Sequence, residues 1–159
     1  MKNILFFLFC LLTNSVFGQQ KQPKLEIFID DCIAKGISHN AYIETPKNYV
    51  HFFAIAVSFD KEGKIDSVSY SKKLNPSTQK LFNLNATLIT RIRSYHFRFK
   101  DYASKTVLMP FYYYNFSDKL MDYNSGFLVS FEDMLPKEVE GKPVIILKPK
   151  VNPYVYILN

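Results

Sequence analysis

The stretch "VHFFAIAVSFDKEGKIDSVSYSK", residues 50–72, decides the fold. Its apolar period is two: Phe53, Ile55, Val57 and Phe59 share one face, and Val68 and Tyr70 resume the alternation after "DKEGK". Alternation of this kind is the mark of a half-buried strand, and Gly63 in the intervening turn is free to take positive φ. The stretch therefore reads as a β-hairpin.

On either side of it the period changes to that of a helix. Upstream, "KLEIFIDDCIAKG" (24–36) places Leu25, Phe28, Ile29, Cys32 and Ile33 on one stripe, with Pro23 before it and Gly36 as a C-terminal cap. Residues 37–48 read as a loop. Downstream, "NPSTQKLFNLNATLITRIRSY" has Asn75 as N-cap, Pro76 at the first helical position, and Leu81, Leu84, Leu88, Ile92 and Tyr95 down one side, which predicts one long helix over 76–95. "HFRFK" then alternates as the start of a strand, turning Phe97 and Phe99 inward and His96, Arg98 and Lys100 outward.

The next strand is "KTVLMPFYYYNF", residues 105–116. Pro110 lacks a backbone donor, which predicts an edge position or a bulge. Both faces are apolar: Val107, Met109, Phe111 and Tyr113 on one, Leu108, Tyr112, Tyr114 and Phe116 on the other, so both need covering. The helix of 76–95 can cover one, and the tail, residues 117–159, is the candidate for the other. Pro143, Pro149 and Pro153 make one or two short edge strands the expectation there. The fold class that follows is α+β: an N-terminal helix, a β-hairpin, a long helix and a closing strand form a small antiparallel sheet packed on a helix, with an extended β-rich C-terminal tail.

The first 18 residues, "MKNILFFLFCLLTNSVFG", carry Lys2, an apolar run from Ile4 to Leu12, and Val16 and Gly18 at the −3 and −1 positions of a cleavage site. This is the pattern of a secretory signal peptide, and the apolar run is shorter than the roughly 20 residues a membrane anchor needs. The expectation is one domain over 19–159, with its core in about 24–116 and an extension over 117–159, in the periplasm or outside the cell. Its net charge falls from +6 to +5 with the loss of Lys2. Cys32 is then the one remaining cysteine, so no internal disulfide forms and the core must hold the fold. With 15 Phe and 11 Tyr in the sequence, that core is aromatic.

The run "TRIRSYHFRFKDY" (90–102) interleaves cations with aromatics, as single-stranded nucleic-acid sites do. Export argues against a nucleic-acid partner. Arg91 and Arg93 fall at the negative end of a helix dipole, while Arg91, Arg98 and Lys100 together are the candidate anion face. No catalytic constellation, phosphate loop or nucleophile elbow is legible. His39, His51 and His96 sit in a loop, at a strand start and at a helix end, each read as a surface or edge histidine, and no metal spacing links them. The expectation is a non-enzymatic protein with no cofactor and no metal.

Helix, hairpin, long helix and strand is an order that resembles the TonB C-terminal domain, over about residues 24–116 and most clearly 51–116. "AVSFDKEGKIDSVSYSK" is similar to that family's alternating strand, acidic turn, Gly-Lys and valine-x-valine return, with Gly63, Ile65, Val68 and Tyr70 at matching positions. "RIRSYHF" is similar to the basic-aromatic end of its long helix, and "TVLMPFYYYNF" to its closing strand. "Phe-Arg-Phe" at 97–99 stands where the family has Phe-x-Pro, and neither a histidine-bearing anchor nor a Pro-rich spacer is present. The resemblance thus implies a freestanding module, not the energy transducer. It also implies a binding mode: the last strand, through Thr106, Leu108, Tyr112 and Tyr114, accepts an extended peptide of an envelope or outer-membrane protein by strand addition. The alternative is a secreted structural or self-associating protein whose tail, through "PVIILKP" or "YVYIL", closes that edge.

Overall fold

The computed structural model describes residues 24–45, 48–115 and 141–154. In chain order these form α1 (Leu25–Ala34), α2 (His39–Glu44), β1 (Val50–Phe59), β2 (Ile65–Tyr70), α3 (Pro76–Phe82), α4 (Ala86–Arg93), a 3₁₀ turn (Lys100–Tyr102), β3 (Thr106–Asn115), β4 (Val144–Ile146) and β5 (Lys150–Tyr154). The architecture is α+β. One sheet runs β2-β1-β3, with β4 and β5 sharing the far side of β3.

The hairpin forms where its alternation places it. Asp60 organises the turn: its Oδ1 accepts from the amides of Glu62 and Lys64, which holds its carboxyl below the usual range, and its carbonyl accepts from Gly63 and Ser104. Gly63 takes φ +78°, and a Cβ there would lie 2.7 Å from the Phe99 carbonyl oxygen. The turn thus needs glycine twice over, for its dihedral and for the backbone packed on it.

β1 is the central strand, antiparallel to β2 and to β3. Its odd residues Phe53, Ile55, Val57 and Phe59 are fully buried against the helices, together with Val107, Met109, Phe111 and Tyr113 of β3. Ring packing holds this layer: Phe53 stacks on Phe111 and Tyr113, and Phe82 of α3 lies 4.4 Å from Tyr113 between ring centres. α1 buries Leu25, Ile29, Cys32 and Ile33 of its predicted stripe, with Phe28 half-buried and stacked on Tyr95. The Cys32 thiol is pushed up first by burial and then by the Asp31 carboxylate. Gly36 serves close approach: a Cβ there would meet the Ile33 and Phe82 carbonyl oxygens at 3.2 Å. The even residues form a second face, where Ala54, Ala56 and Leu108 are buried and Phe52 packs on them.

Five sequence expectations are corrected. The long helix is two short ones: Asn83 adopts φ +49°, ψ +46°, which ends α3, and Asn85 Oδ1 accepts from Thr87 and Leu88 to start α4. The stripe survives the break, since Leu81, Leu84, Leu88 and Ile92 are all buried. "HFRFK" is not a strand; it runs into the 3₁₀ turn, though Phe99 is buried and His96, Arg98 and Lys100 are exposed as the alternation predicts. The loop of 37–48 holds α2, capped by the Ser38 hydroxyl, which accepts from the Ala41 amide. His51 lies deep in the core rather than at the surface, its Nδ1 3.0 Å from the Thr78 hydroxyl and its ring edge-on to Phe82. Finally, the sheet is mixed, because β4 and β5 both run parallel to β3. Phe116 and most of the tail, 117–140, lie outside the described residues, as do the signal segment and Pro23.

Candidate functional site

β3 is the strand on which the sequence places partner binding. Its odd residues exchange backbone bonds with β1. The alternation follows from Ala54, whose amide donates to the Ser71 hydroxyl and whose carbonyl accepts from the Ser71 amide, so the even residues of β1 turn toward β2 and the odd ones toward β3. On β3 the even residues, Thr106, Leu108, Pro110, Tyr112 and Tyr114, therefore turn their backbone away from β1 and toward the tail. These include all four residues expected to line the edge.

The chain's own tail pairs with that edge. Thr106 is opposite Val144, Leu108 opposite Ile146, Tyr112 opposite Val151 and Tyr114 opposite Pro153. In a parallel ladder a residue donates to the one before its partner and accepts from the one after it. Accordingly the Thr106 amide donates to the Pro143 carbonyl and the Leu147 amide to the Leu108 carbonyl, both at 2.9 Å.

The pairing is interrupted at Pro110. From Leu108 to Phe111 β3 advances three residues, while the tail advances four, from Ile146 to Lys150. In unbroken register Pro110 would face Lys148 and would owe an amide bond to Leu147, which it cannot make. The extra tail residue, a bulge, removes the mismatch. The expectation that Pro110 marks a bulge is thereby located on the partner strand. Beside it opens a pocket of about 360 Å³ lined by Met109, Phe111, Leu147, Pro149 and Lys150, with Glu26 of α1 at its rim.

Polar contacts pin each half of the tail. Before β4, the Lys142 ammonium reaches past the sheet end to the Phe59 carbonyl, 3.0 Å, and the Asp66 carboxylate, 2.9 Å. Beside β5, Asp30 of α1 is a hub. Its Oδ1 accepts from Asn152 Nδ2 at 3.0 Å and from the Tyr113 hydroxyl at 3.3 Å, and its Oδ2 lies 2.5 Å from Lys150 Nζ. Burial holds the Tyr113 phenol above its ordinary value, so it stays a donor. Sequence reasoning missed Asp30, which sits beside Asp31 on a helix; the signal was that Asp30 follows the buried Ile29, placing it at the border of the apolar stripe.

The outer side of the tail is blunted. The same ladder rule turns the backbone of Val144, Ile146, Val151 and Pro153 outward, and Pro153 has no amide to offer there. Val144, Ile146 and Val151 leave 44%, 63% and 58% of their surface exposed on the second face. Short strands, a bulge containing Lys148 and Pro149, and prolines are the devices that stop an edge from pairing further.

The candidate anion residues do not form one face. Arg91 donates to the Cys32 carbonyl and lines a cleft with Lys35 and Gly36, at the C-terminal end of α1. Arg98 and Lys100 line a separate cleft at the opposite end of α1, with Lys24 and Glu26, and Arg98 is ion-paired to Glu62. Among the described residues, no group of three or more His, Cys, Asp or Glu is placed to hold a metal ion, and no helix is long and apolar enough to cross a membrane. Comparison with known protein families, with curated proteins and with solved structures finds no match to this chain.

Proposed function

We propose that this protein is a non-enzymatic interaction module of the periplasm or the extracellular space, in which the edge of β3 accepts an extended segment of an envelope protein after the resident tail gives way. One observation carries the reading: strand addition at this edge already occurs within the chain, with Thr106, Leu108, Tyr112 and Tyr114 as its acceptor side. The resemblance of residues 51–116 to the TonB C-terminal domain supports the same edge, and the signal-like N-terminus supports the compartment. The tail is built to be replaced: two strands of three and five residues, divided by a bulge, with three aliphatic side chains left 44% or more exposed.

Residue-resolved amide exchange tests this without knowledge of the partner. Even-numbered amides of β3 face the tail and odd-numbered ones face β1, so tail opening exposes only the first set. The expected result is faster exchange at Leu108, Tyr112 and Tyr114 than at Val107, Met109, Phe111 and Tyr113. A disulfide introduced at Tyr112 and Val151 should abolish the difference. Equal rates in both sets of the unlocked protein would refute the reading. They would favour the alternative, a secreted structural protein whose pinned tail closes the edge permanently, for which Lys142 and the Asp30 hub are the supporting contacts.

A further inference from the structure

We infer that the resident tail is a template for the partner, and that Asp30 reads a basic residue in the segment that replaces it. This rests on the reading of β3 as an exchangeable edge, and it adds the chemistry of the ligand. In a parallel ladder paired residues share a face, so the tail positions that meet the helix layer are fixed by their partners. Ile145, opposite Val107, packs on the core, as does Leu147 two residues on. After the bulge, Lys150, opposite Phe111, and Asn152, opposite Tyr113, are the next to face inward, and both meet Asp30.

The pattern presented to the edge is therefore aliphatic-x-aliphatic-x-x-basic-x-amide. Each element has a physical reason. The two aliphatic residues extend the apolar layer beyond β3. The two-residue gap, longer by one than a regular strand would need, is imposed by Pro110, which any incoming strand must also bypass. The basic residue answers a carboxylate that accepts from the Tyr113 hydroxyl on β3 and, at the amide position of the strand, from Asn152, and that sits partly shielded, its side chain 32% exposed. An acidic residue at that position would face Asp30 directly, so the hub rejects as well as selects.

The partner is thus an extended segment, running parallel to β3, with that order of side chains. The test uses the processed chain, residues 19–159, native or carrying Asp30→Lys or Asp30→Asn, with two fluorescent peptides spanning residues 143–154. One has the native sequence and the other carries Lys150→Glu. Native protein should bind the native peptide about fivefold to tenfold more tightly than the Glu peptide, and Asp30→Lys should reverse the order, as a double-mutant cycle on a close charge pair predicts. Asp30→Asn keeps an acceptor for Asn152 and Tyr113 but loses the charge, so its preference should vanish even if Asp30→Lys folds poorly.

Peptide binding that is indifferent to residue 30 would overturn the inference and leave strand replacement intact. Absence of binding to all three proteins would overturn it as well, and with equal even and odd amide exchange it would remove the functional reading too. A concentration-dependent dimer of the native chain that the peptide dissolves would overturn it in another way, placing a second copy's tail on the edge in place of a different protein.

Discussion

His51 gives the most direct check on the core. It lies fully buried in β1, with Nδ1 3.0 Å from the Thr78 hydroxyl and the rings of Tyr49 and Phe82 at 4.8 and 5.4 Å between centres. Burial lowers its pKa from 6.5 to about 4. The unfolded chain takes up a proton on His51 below pH 6.5, whereas the native chain resists until about pH 4. Stability is therefore complete above pH 6.5 and declines as the pH falls through that window. At 1.36 kcal/mol per pH unit, the interval from 6.5 to 4.5 should cost about 2–3 kcal/mol, a large share of the roughly 5–15 kcal/mol a domain has. The ring is inaccessible to solvent, so water does not screen the effect. Urea unfolding of native protein and His51→Gln at pH 7.5, 6.5, 5.5 and 4.5 would measure it, the carboxylates of the chain cancelling in the difference. His51→Gln should be less stable at neutral pH and should close the gap on acidification. A difference that stays constant across the series would refute the placement of a neutral imidazole in the core.

Three further outcomes follow from single residues. Gly63→Ala should destabilise the protein by about 2 kcal/mol or more, since the added Cβ meets both a positive φ and the Phe99 backbone; thermal unfolding would register it. Asn85→Ala should cost about 1 kcal/mol through the loss of the α4 cap, and Asn85→Asp should restore most of it, both read by urea midpoint. Cys32 should react with a thiol reagent only as fast as the protein unfolds, because its sulfur is buried and its thiolate disfavoured; rapid labelling of the folded protein would contradict the packing of α1.

Much of this fold was legible because the hydrophobic pattern reports faces. The odd residues of 53–59 and residues 25, 29, 32 and 33 of the α1 stripe are buried as their spacing requires, with Phe28 half-buried beside them. The same property explains the main error. Leu81, Leu84, Leu88 and Ile92 keep helical spacing across a break, so the pattern looked continuous while Asn83 and Asn85 carried the opposite signal. Asparagine tolerates the left-handed conformation and caps helices well, and two of them around one leucine are punctuation that periodicity overrides. His51 was misread because a position at the start of a strand says nothing about what packs over it, and α3 supplies that cover with Thr78 and Phe82. The two faces of β3 were legible from its alternation, whereas its pairing with residues 144–154 was not. Strand partners so far apart in sequence leave no periodic trace, and Asp30 acquires its role only when β5 is beside it.

The two edges of this sheet's far side obey different physics. The outward backbone of β4 and β5 is interrupted by a bulge, by Lys148 and by prolines, so a further strand added there would find few amides in register. β3, beneath it, is ten residues long and, apart from Pro110, offers an unbroken set of donors and acceptors. An open strand of that length and apolarity would be an aggregation hazard, which gives the tail a reason to exist whether or not it leaves. Its attachment differs along its length: aliphatic packing by Ile145 and Leu147, with the Lys142 contacts ahead of it, holds the β4 half, and polar contacts at Asp30 hold the β5 half. Hydrophobic contact is insensitive to the identity of the partner beyond size, while a carboxylate distinguishes charge. Under the proposed strand exchange, affinity would belong mainly to the first half of the strand and selectivity to the second, with the bulge at Pro110 as the boundary between them.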